Sequence, residues 1–374
     1  MHARKPSPVR QLLARDVNPK ATQIDGEWDI DMVEKMERYY RMATFFDFAV
    51  LVLATTSTVG AAPTKRDASV CSGIRERVPW YNLTREEKSS YIQADLCLMN
   101  SPAKGGSPLA VTRWDDLQWP HVVQTATVHG VGGFLPFHRY LLTVHERLIK
   151  DECGYIGRIP YWDELHDLDS VADSEMFTDE YFGGDGTGPD GCIETGPFQN
   201  LTLRWMQNGG IEEHCLSRQF DTAYLQMTNQ ANIDACNALE TYDEAWICWF
   251  GGLHGSVGPH AAGHAAVGGV MGDATLSPGD PVFYLHHGWL DKLWWEWQKR
   301  DLPNRYTDMG GSNLPIGGSV LGGQGPEFTD YFGDNGNITT LNHRLYMTEL
   351  YPNLTIADVM DLNGDVICSE YINV

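Results

Sequence analysis

Several histidines of this chain are spaced for metal binding. His260 and His264 are four positions apart in the sequence HAAGH. On a helix, this spacing places two imidazoles on one face, about 6 Å apart along the axis, so that both can reach one metal ion. A glycine-rich turn and the run SPGDP then predict a chain reversal, and a second helix starting near Phe283 brings His286 or His287 to the same point. Adjacent helical residues project roughly 100° apart, so we expect only one to face the metal and choose His287.

A second histidine group lies upstream and contains His121, His129 and His138. His138 is predicted to begin a helix after Pro136, His129 precedes a glycine-rich loop, and His121 lies at the start of a helix or within it. His145 is about 10 Å farther along the axis than His138, so we expect it to support the site or the fold. Sites made only of imidazoles suit copper, zinc, iron or nickel, and three histidines with open positions are compatible with oxygen chemistry at copper.

The sequence around both groups resembles a known family. The segments HGVGGFLPFHR and HAAGH, the latter followed by DPVFYLHHGWLDKLWWEW, are similar to the two copper-binding segments of the tyrosinase, catechol oxidase and molluscan haemocyanin family, a type 3 dicopper group. The resemblance runs from about Val70 to the C-terminus and is closest to the short, secreted fungal tyrosinase-like oxidases. It implies that two copper ions are bound, the first by His121, His129 and His138 and the second by His260, His264 and His287.

The resemblance implies an oxidoreductase that uses O₂ to oxidise phenols or catechols to o-quinones, with ortho-hydroxylation of phenols as a further activity. The substrate would be a small phenol, a peptide-borne tyrosine or a secondary-metabolite precursor. The alternative is a haemocyanin-like dicopper protein that binds dioxygen without turnover, whose centre is covered by an extra domain. Fewer than eighty residues follow Trp297, so we expect no such domain and favour the enzyme.

Three positions depart from the family pattern in ways that bear on the reaction. Many tyrosinases carry a glutamate shortly before the first histidine of the second copper site, but the sequence here is GGLHGSVGP, which leaves His254 as the candidate base. Ala261 stands where monophenol-active members often have asparagine. Ala274 aligns with a position that is often a bulky gate over the first copper. These departures favour catechols over phenols and predict access for a large substrate.

Other residues near the motifs are candidates for support. Asp291 follows His287 by four positions on the predicted helix, and we expect it to fix an imidazole tautomer or to pair with Arg139; a surface pair with Lys292 is the alternative. The motif PYWDE ends at Glu164, where the family usually has PYWDW. Phe283 and the tryptophans of the last helix are expected to pack in the core.

With the two copper sites that the resemblance implies, we expect a mainly α fold, with a four-helix bundle core that holds the dicopper centre, long loops and a few short strands. The chain has 374 residues, of which 42% are hydrophobic, enough for a large core. The formal net charge of −23 argues against nucleic-acid partners. A helix beginning after Thr84 is predicted by its capping box with Glu87.

The N-terminal part divides into two segments ahead of the catalytic domain. Residues 1–41 are polar, and residues 42–66 have the form of a signal peptide or propeptide, so translation from Met42 is an alternative start that would make 1–41 a gene-model artefact. The tyrosinase-like domain then spans 67–374. We expect the secretory pathway and an extracellular location; an uncleaved membrane anchor at residues 43–62 is the minority alternative, because its apolar core is shorter than the ~20 residues needed to span a bilayer.

Two further features fit an oxidising compartment. Eight cysteines occur without a CxxC pair, which favours disulfides over a structural zinc site. Four sequons predict surface glycosylation of a secreted chain, at Asn82, Asn200, Asn337 and Asn353.

Overall fold

Helices form most of the regular structure in the computed structural model, which describes residues 71, 73–251, 257–315 and 332–372. The α-helices in chain order are α1 (Arg85–Asn100), α2 (Arg113–Val128), α3 (Phe134–Cys153), α4 (Thr222–Leu225), α5 (Gln230–Asn237), α6 (Tyr242–Gly251), α7 (Pro259–Val267), α8 (Val282–Lys299) and α9 (Ile356–Val359). The strands are short: β1 (Arg75–Pro79), β2 (Ile159–Tyr161), β3 (Gly186–Thr187), β4 (Cys192–Ile193), β5 (Thr202–Trp205), β6 (Ile211–Cys215), β7 (Arg344–Leu345), β8 (Leu354–Thr355) and β9 (Ser369–Tyr371). The mainly α prediction is confirmed.

Local sequence signals explain where the long helices begin and end. Thr84 and Glu87 form the predicted capping box of α1, and Thr112 forms an equivalent box with Asp115 at the start of α2. At the other end of α3, Gly154 adopts a left-handed conformation with φ 70°, which closes the helix. Helix α3 begins at Phe134, two residues before Pro136 rather than after it, because proline is tolerated in the first turn of a helix.

The helices that carry histidines pack directly on one another. Helix α8 contacts both α3 and α7, and α2 contacts α3. The tryptophans of α8 are buried as expected, with Trp294, Trp295 and Trp297 at most 1% exposed. Strand β1 lies in the centre of a three-stranded parallel sheet between β2 and β9, which joins the two ends of the described chain. The other sheets are two-stranded.

The cysteines are paired as disulfides, as the sequence predicted. The pairs are Cys71 with Cys368, Cys97 with Cys153, Cys192 with Cys215, and Cys236 with Cys248. The first links the two ends of the described fold, and the second joins α1 to the end of α3. The pairing depends on the tertiary fold, since sequence spacing alone leaves many connectivities open.

The described residues belong to one compact unit, Asp67–Val374. The predicted segments 1–41 and 42–66, with the candidate anchor at 43–62, lie outside the described residues. Within the described ranges, no helix combines the length and the apolar character that crossing a bilayer requires.

Candidate metal centre

The upstream histidines converge although they come from different elements. His121 lies within α2, one residue after a proline that the helix accommodates, and His129 caps the C-terminal end of the same helix in an extended conformation. His138 lies in the second turn of α3. Their imidazoles are almost fully buried, and one nitrogen from each lies within 4.8 Å of the others. The described structure therefore forms a three-histidine cluster from these residues.

Backbone carbonyls fix the orientation of these three rings. The Nδ1 atoms donate to carbonyl oxygens, from His121 to Thr275 at 3.1 Å, from His129 to Thr125 at 3.0 Å and from His138 to Phe134 at 2.8 Å. A carbonyl can only accept, so each Nδ1 carries the proton and each Nε2 keeps its lone pair. The Nε2 atoms of His121 and His138 are buried without a hydrogen-bond partner. Buried polar atoms rarely lack a partner, and a bound metal ion would satisfy these two.

The downstream cluster contains four histidines, His260 and His264 from α7 and His286 and His287 from α8. His264 donates from Nδ1 to the carbonyl of Met271 at 2.7 Å, and its Nε2 lies 3.2 Å from Nε2 of His287. One nitrogen from each of His286 and His287 lies within 4.8 Å of the other two histidines, so both are near this point, and the choice of His287 as the ligand stays a prediction. Two imidazoles about 100° apart on one helix can both reach a neighbouring helix that approaches closely.

The two clusters are in direct contact. The rings of His138 and His287 are stacked with centroids 4.3 Å apart and an interplanar angle of 9°. Phe283, expected to be a core residue, is buried but also contacts the ring of His287, at 4.2 Å between centroids. Phe134 contacts both His138 and His260 at 4.6 Å. These aromatic rings surround the imidazoles with apolar surface and limit the access of water to them.

Burial keeps the imidazoles neutral. It lowers the pKa of His129 to about 4 and lowers the pKa values of His121, His138, His260 and His264 well below the ordinary histidine range. Neighbouring histidines lower the pKa of His260 further, because a second positive charge is unfavourable. Metal ions bind the neutral imidazole, so the folded chain presents these side chains in the form that binds.

The lowered pKa of His129 predicts a pH-dependent stability of the metal-free protein. Between pH 6.5 and about 4, the unfolded chain binds a proton at this residue that the folded chain does not bind. The contribution of His129 to stability is therefore complete above pH 6.5 and is lost as the pH falls towards 4. Urea unfolding of metal-free wild type and His129→Gln at several pH values measures it. The stability of His129→Gln should fall less steeply in this window, and equal slopes would contradict the prediction.

The candidate supporting pair, Asp291 and Arg139, is buried, and Asp291 lies one helical turn after His287 on α8. Arg139 donates from Nε to Asp291 Oδ1 at 2.6 Å, while Arg77 and Tyr371 donate to Oδ2 at 2.7 and 2.8 Å. Of the roles foreseen for Asp291, its hydrogen bonds match the pairing with Arg139 and not the orientation of an imidazole. In the described structure, carbonyl oxygens orient most of the imidazoles instead.

The remaining candidates have different positions. Ala274 is exposed. The next residue, Thr275, supplies the carbonyl oxygen that accepts a hydrogen bond from Nδ1 of His121, so Ala274 lies at the edge of the upstream cluster. His254 falls in residues 252–256, outside the described residues. His145 lies outside both clusters and pairs with Asp95, its Nε2 being 2.7 Å from Oδ1. No role was assigned to Glu164 from the sequence. Its departure from the family motif could have marked it as a site residue, because the structure places this carboxylate fully buried against His286.

Comparison with known proteins agrees with this geometry. The common central domain of tyrosinase matches residues 111–300. Tyrosinase P from Aspergillus terreus is 31% identical over 324 residues, which cover 72% of this chain and 87% of that protein. A tyrosinase-like protein from Diaporthe leptostromiformis is 32% identical over 327 residues, covering 80% of this chain and 78% of the relative.

The fold is also similar to that of a solved enzyme. A mutant of polyphenol oxidase from Thermothelomyces thermophila superposes with a TM-score of 0.68 at 25% identity, covering 92% of this chain and 97% of the other. The family is a type 3 dicopper group, and the two histidine clusters of this chain fit such a cofactor. The chain therefore belongs to the tyrosinase family and is a copper-dependent, tyrosinase-like phenol oxidase.

Proposed function

We propose that this chain oxidises catechols to o-quinones with O₂. In this proposal, the ligands of one copper ion are His121, His129 and His138, and those of the other are His260, His264 and His287. The observation that supports it is the direct contact between the two clusters through the stacked rings of His138 and His287. A bound copper pair supplies two-electron redox chemistry with O₂, whereas a single copper ion exchanges one electron.

The protein's own backbone and side chains hold the site in a form suited to this reaction. The carbonyl partners of Nδ1 keep the Nε2 lone pairs of neutral imidazoles available, and the buried aromatic rings exclude water. One side is more open: His264, Ala261 and Ala265 are only partly buried, and Ala274 is exposed. We place the entrance for the aromatic substrate on this side.

The carboxylates near the two histidine clusters support catechol as the better substrate. Asp273, beside Ala274, accepts hydrogen bonds on both oxygens, on Oδ1 from the amides of Thr275 and Leu276 and on Oδ2 from Gln207. Glu164 is fully buried. Neither is placed to remove the proton of a phenol, and His254 stays the candidate base for monophenol hydroxylation.

The test is oxygen uptake by the copper-loaded chain with a catechol peptide and the matching tyrosyl peptide, with His260→Ala as the blank. We expect uptake with the catechol peptide and uptake at least about tenfold slower with the tyrosyl peptide, a difference of about 1.4 kcal/mol in activation free energy. Equal rates would show that the missing glutamate is replaced, and His254→Ala would then be the variant to compare. Absence of uptake with both, in a chain that binds two copper ions, would contradict the proposed oxidation.

The small side chain at position 274 supports a large substrate, such as a peptide-borne ring or a secondary-metabolite precursor. Ala274→Phe is expected to lower kcat/KM for the catechol peptide by at least about tenfold, because steric exclusion from a pocket is typically worth 1–3 kcal/mol. Free catechol should be affected less than about threefold. Ala357→Phe, at an exposed alanine of α9, is the matched control. Equal losses with both substrates would mean that the position does not select by size.

We also propose that the chain enters the secretory pathway and is glycosylated. All four candidate asparagines are exposed in the described structure, and the four disulfides are typical of an oxidising compartment. Treatment of the protein from its native host with a glycan-removing amidase should lower its mass, and the quadruple substitution of these asparagines by glutamine should remove that change. A native protein whose mass does not change would contradict glycosylation.

A further inference from the structure

Glu164 and His286 form a buried pair at the downstream cluster. Glu164 begins a short 3-10 turn three residues after β2, and His286 lies on α8. Both side chains are fully buried, and Nδ1 of His286 is hydrogen-bonded to Oε1 of Glu164. An imidazole held by a carboxylate has a fixed ring orientation, which is a common arrangement around metal sites.

The ring of His286 contacts both histidines of α7. Its centroid is 4.5 Å from that of His264, and it stacks on His260 at 6.0 Å with an interplanar angle of 27°. Nε2 of His286 makes no hydrogen bond in the described structure. His286 therefore packs between Glu164 and the part of α7 that carries two candidate ligands.

His260 differs from most of the other candidate ligands in how it is oriented. His121, His129, His138 and His264 each bond a carbonyl through Nδ1. Both nitrogens of His260 lack a hydrogen-bond partner. The direction of its ring is therefore set by packing, and the rings around it include those of Phe250, Phe134 and His286.

Gly263 shows that α7 is shaped to accept this pair. A Cβ atom at this position would lie 2.5 Å from Oε1 of Glu164 and 2.5 Å from Nδ1 of His286. Such distances are far below van der Waals contact, so any larger residue would displace the pair. Glycine inside a helix costs about 1 kcal/mol relative to alanine, yet it stands here between His260 and His264.

We propose that Glu164 is a positioning residue for the downstream copper site, holding the imidazole of His286 against His260 and His264. The proposal rests on the proposed function, since it takes these two residues as copper ligands. Glu164 touches neither substrate nor metal in this arrangement; it acts through His286. Loss of the carboxylate frees the His286 ring to rotate, which removes one of the surfaces that orient His260.

The test measures copper affinity at each site separately by competition with a chelator. His138→Ala isolates the downstream site and His264→Ala isolates the upstream site. Glu164→Ala should weaken copper binding about 10-fold in the first background, the lower end of the effect of residues that orient metal ligands without binding the metal, and should leave the second unchanged. Glu164→Gln keeps an oxygen that can accept from Nδ1 of His286, so it should recover most of the affinity.

Asp95→Ala is the matched control, because Asp95 and His145 form a second buried carboxylate–histidine pair outside both clusters. It should lower the urea midpoint without changing copper affinity at either site. If Glu164→Ala behaves like this control, or weakens both copper sites equally, the positioning role is wrong. If His286→Ala empties the downstream site while His287→Ala retains copper, His286 is itself the ligand and the proposal is overturned. These outcomes are read from copper binding, so they stay separate from a failure of wild type to oxidise catechol.

Discussion

His138→Ala should leave the chain with one copper ion in place of two and should reduce oxygen uptake with catechol to that of the metal-free protein. His138 provides one of three nitrogens in the upstream cluster, and its Nε2 is buried without another partner. Two remaining imidazoles bind copper weakly, and two-electron chemistry needs both ions. Copper content by atomic emission and initial rates in an oxygen electrode measure the two effects.

His145→Ala is the control for this prediction, because His145 lies seven residues farther along α3 and is equally buried. It should keep both copper ions, since its Nε2 pairs with Asp95 and not with either cluster. A His138→Ala protein that retains two copper ions would show that another group completes the upstream site. The reciprocal variant, His264→Ala, should also keep one copper ion and lose oxygen uptake, although it alters the other cluster.

Asp291→Ala should lower the free energy of unfolding by about 3–5 kcal/mol, because it leaves buried cations without their shared partner. The carboxylate of Asp291 forms ion pairs with Arg139, at 2.6 Å between Nε and Oδ1, and with Arg77, at 2.7 Å between Nη1 and Oδ2. All three side chains are at most 2% exposed. Arg77 keeps Glu146 at 2.7 Å, so the larger loss falls on Arg139. Urea denaturation followed by tryptophan fluorescence measures the change.

Lys292→Ala is the neighbouring control. Lys292 pairs with Glu296 at 2.7 Å, but both side chains are partly exposed, so its loss should cost less than about 1 kcal/mol. Asp291 lies one turn after His287, and a reduced copper content at low denaturant would show that it also orients a ligand. A loss of stability as small as that of Lys292→Ala would mean that Arg139 is satisfied by its other contacts, Gln298 and the carbonyls of Val359 and Met360.

Local sequence signals determined the elements and the types of residue at the candidate centre. The capping box at Thr84 placed the start of α1, because it involves neighbouring residues only. The four-residue spacing of His260 and His264 placed both on one face of α7, since helix geometry fixes that relation. The order of the histidine segments indicated the family. Together these signals specified a mainly α dicopper protein before any contact between distant segments was considered.

Contacts between distant segments were decided only by the tertiary structure. Asp291 could have oriented an imidazole or paired with Arg139, and its partners from β1, α3 and β9 followed from packing. The disulfide pairing and the contact of Glu164 with His286 across 122 positions have the same origin. Periodicity and capping describe residues within about one helical turn. Which side chains meet across the core depends on how whole elements pack, and the spacing of residues within one element does not predict these contacts.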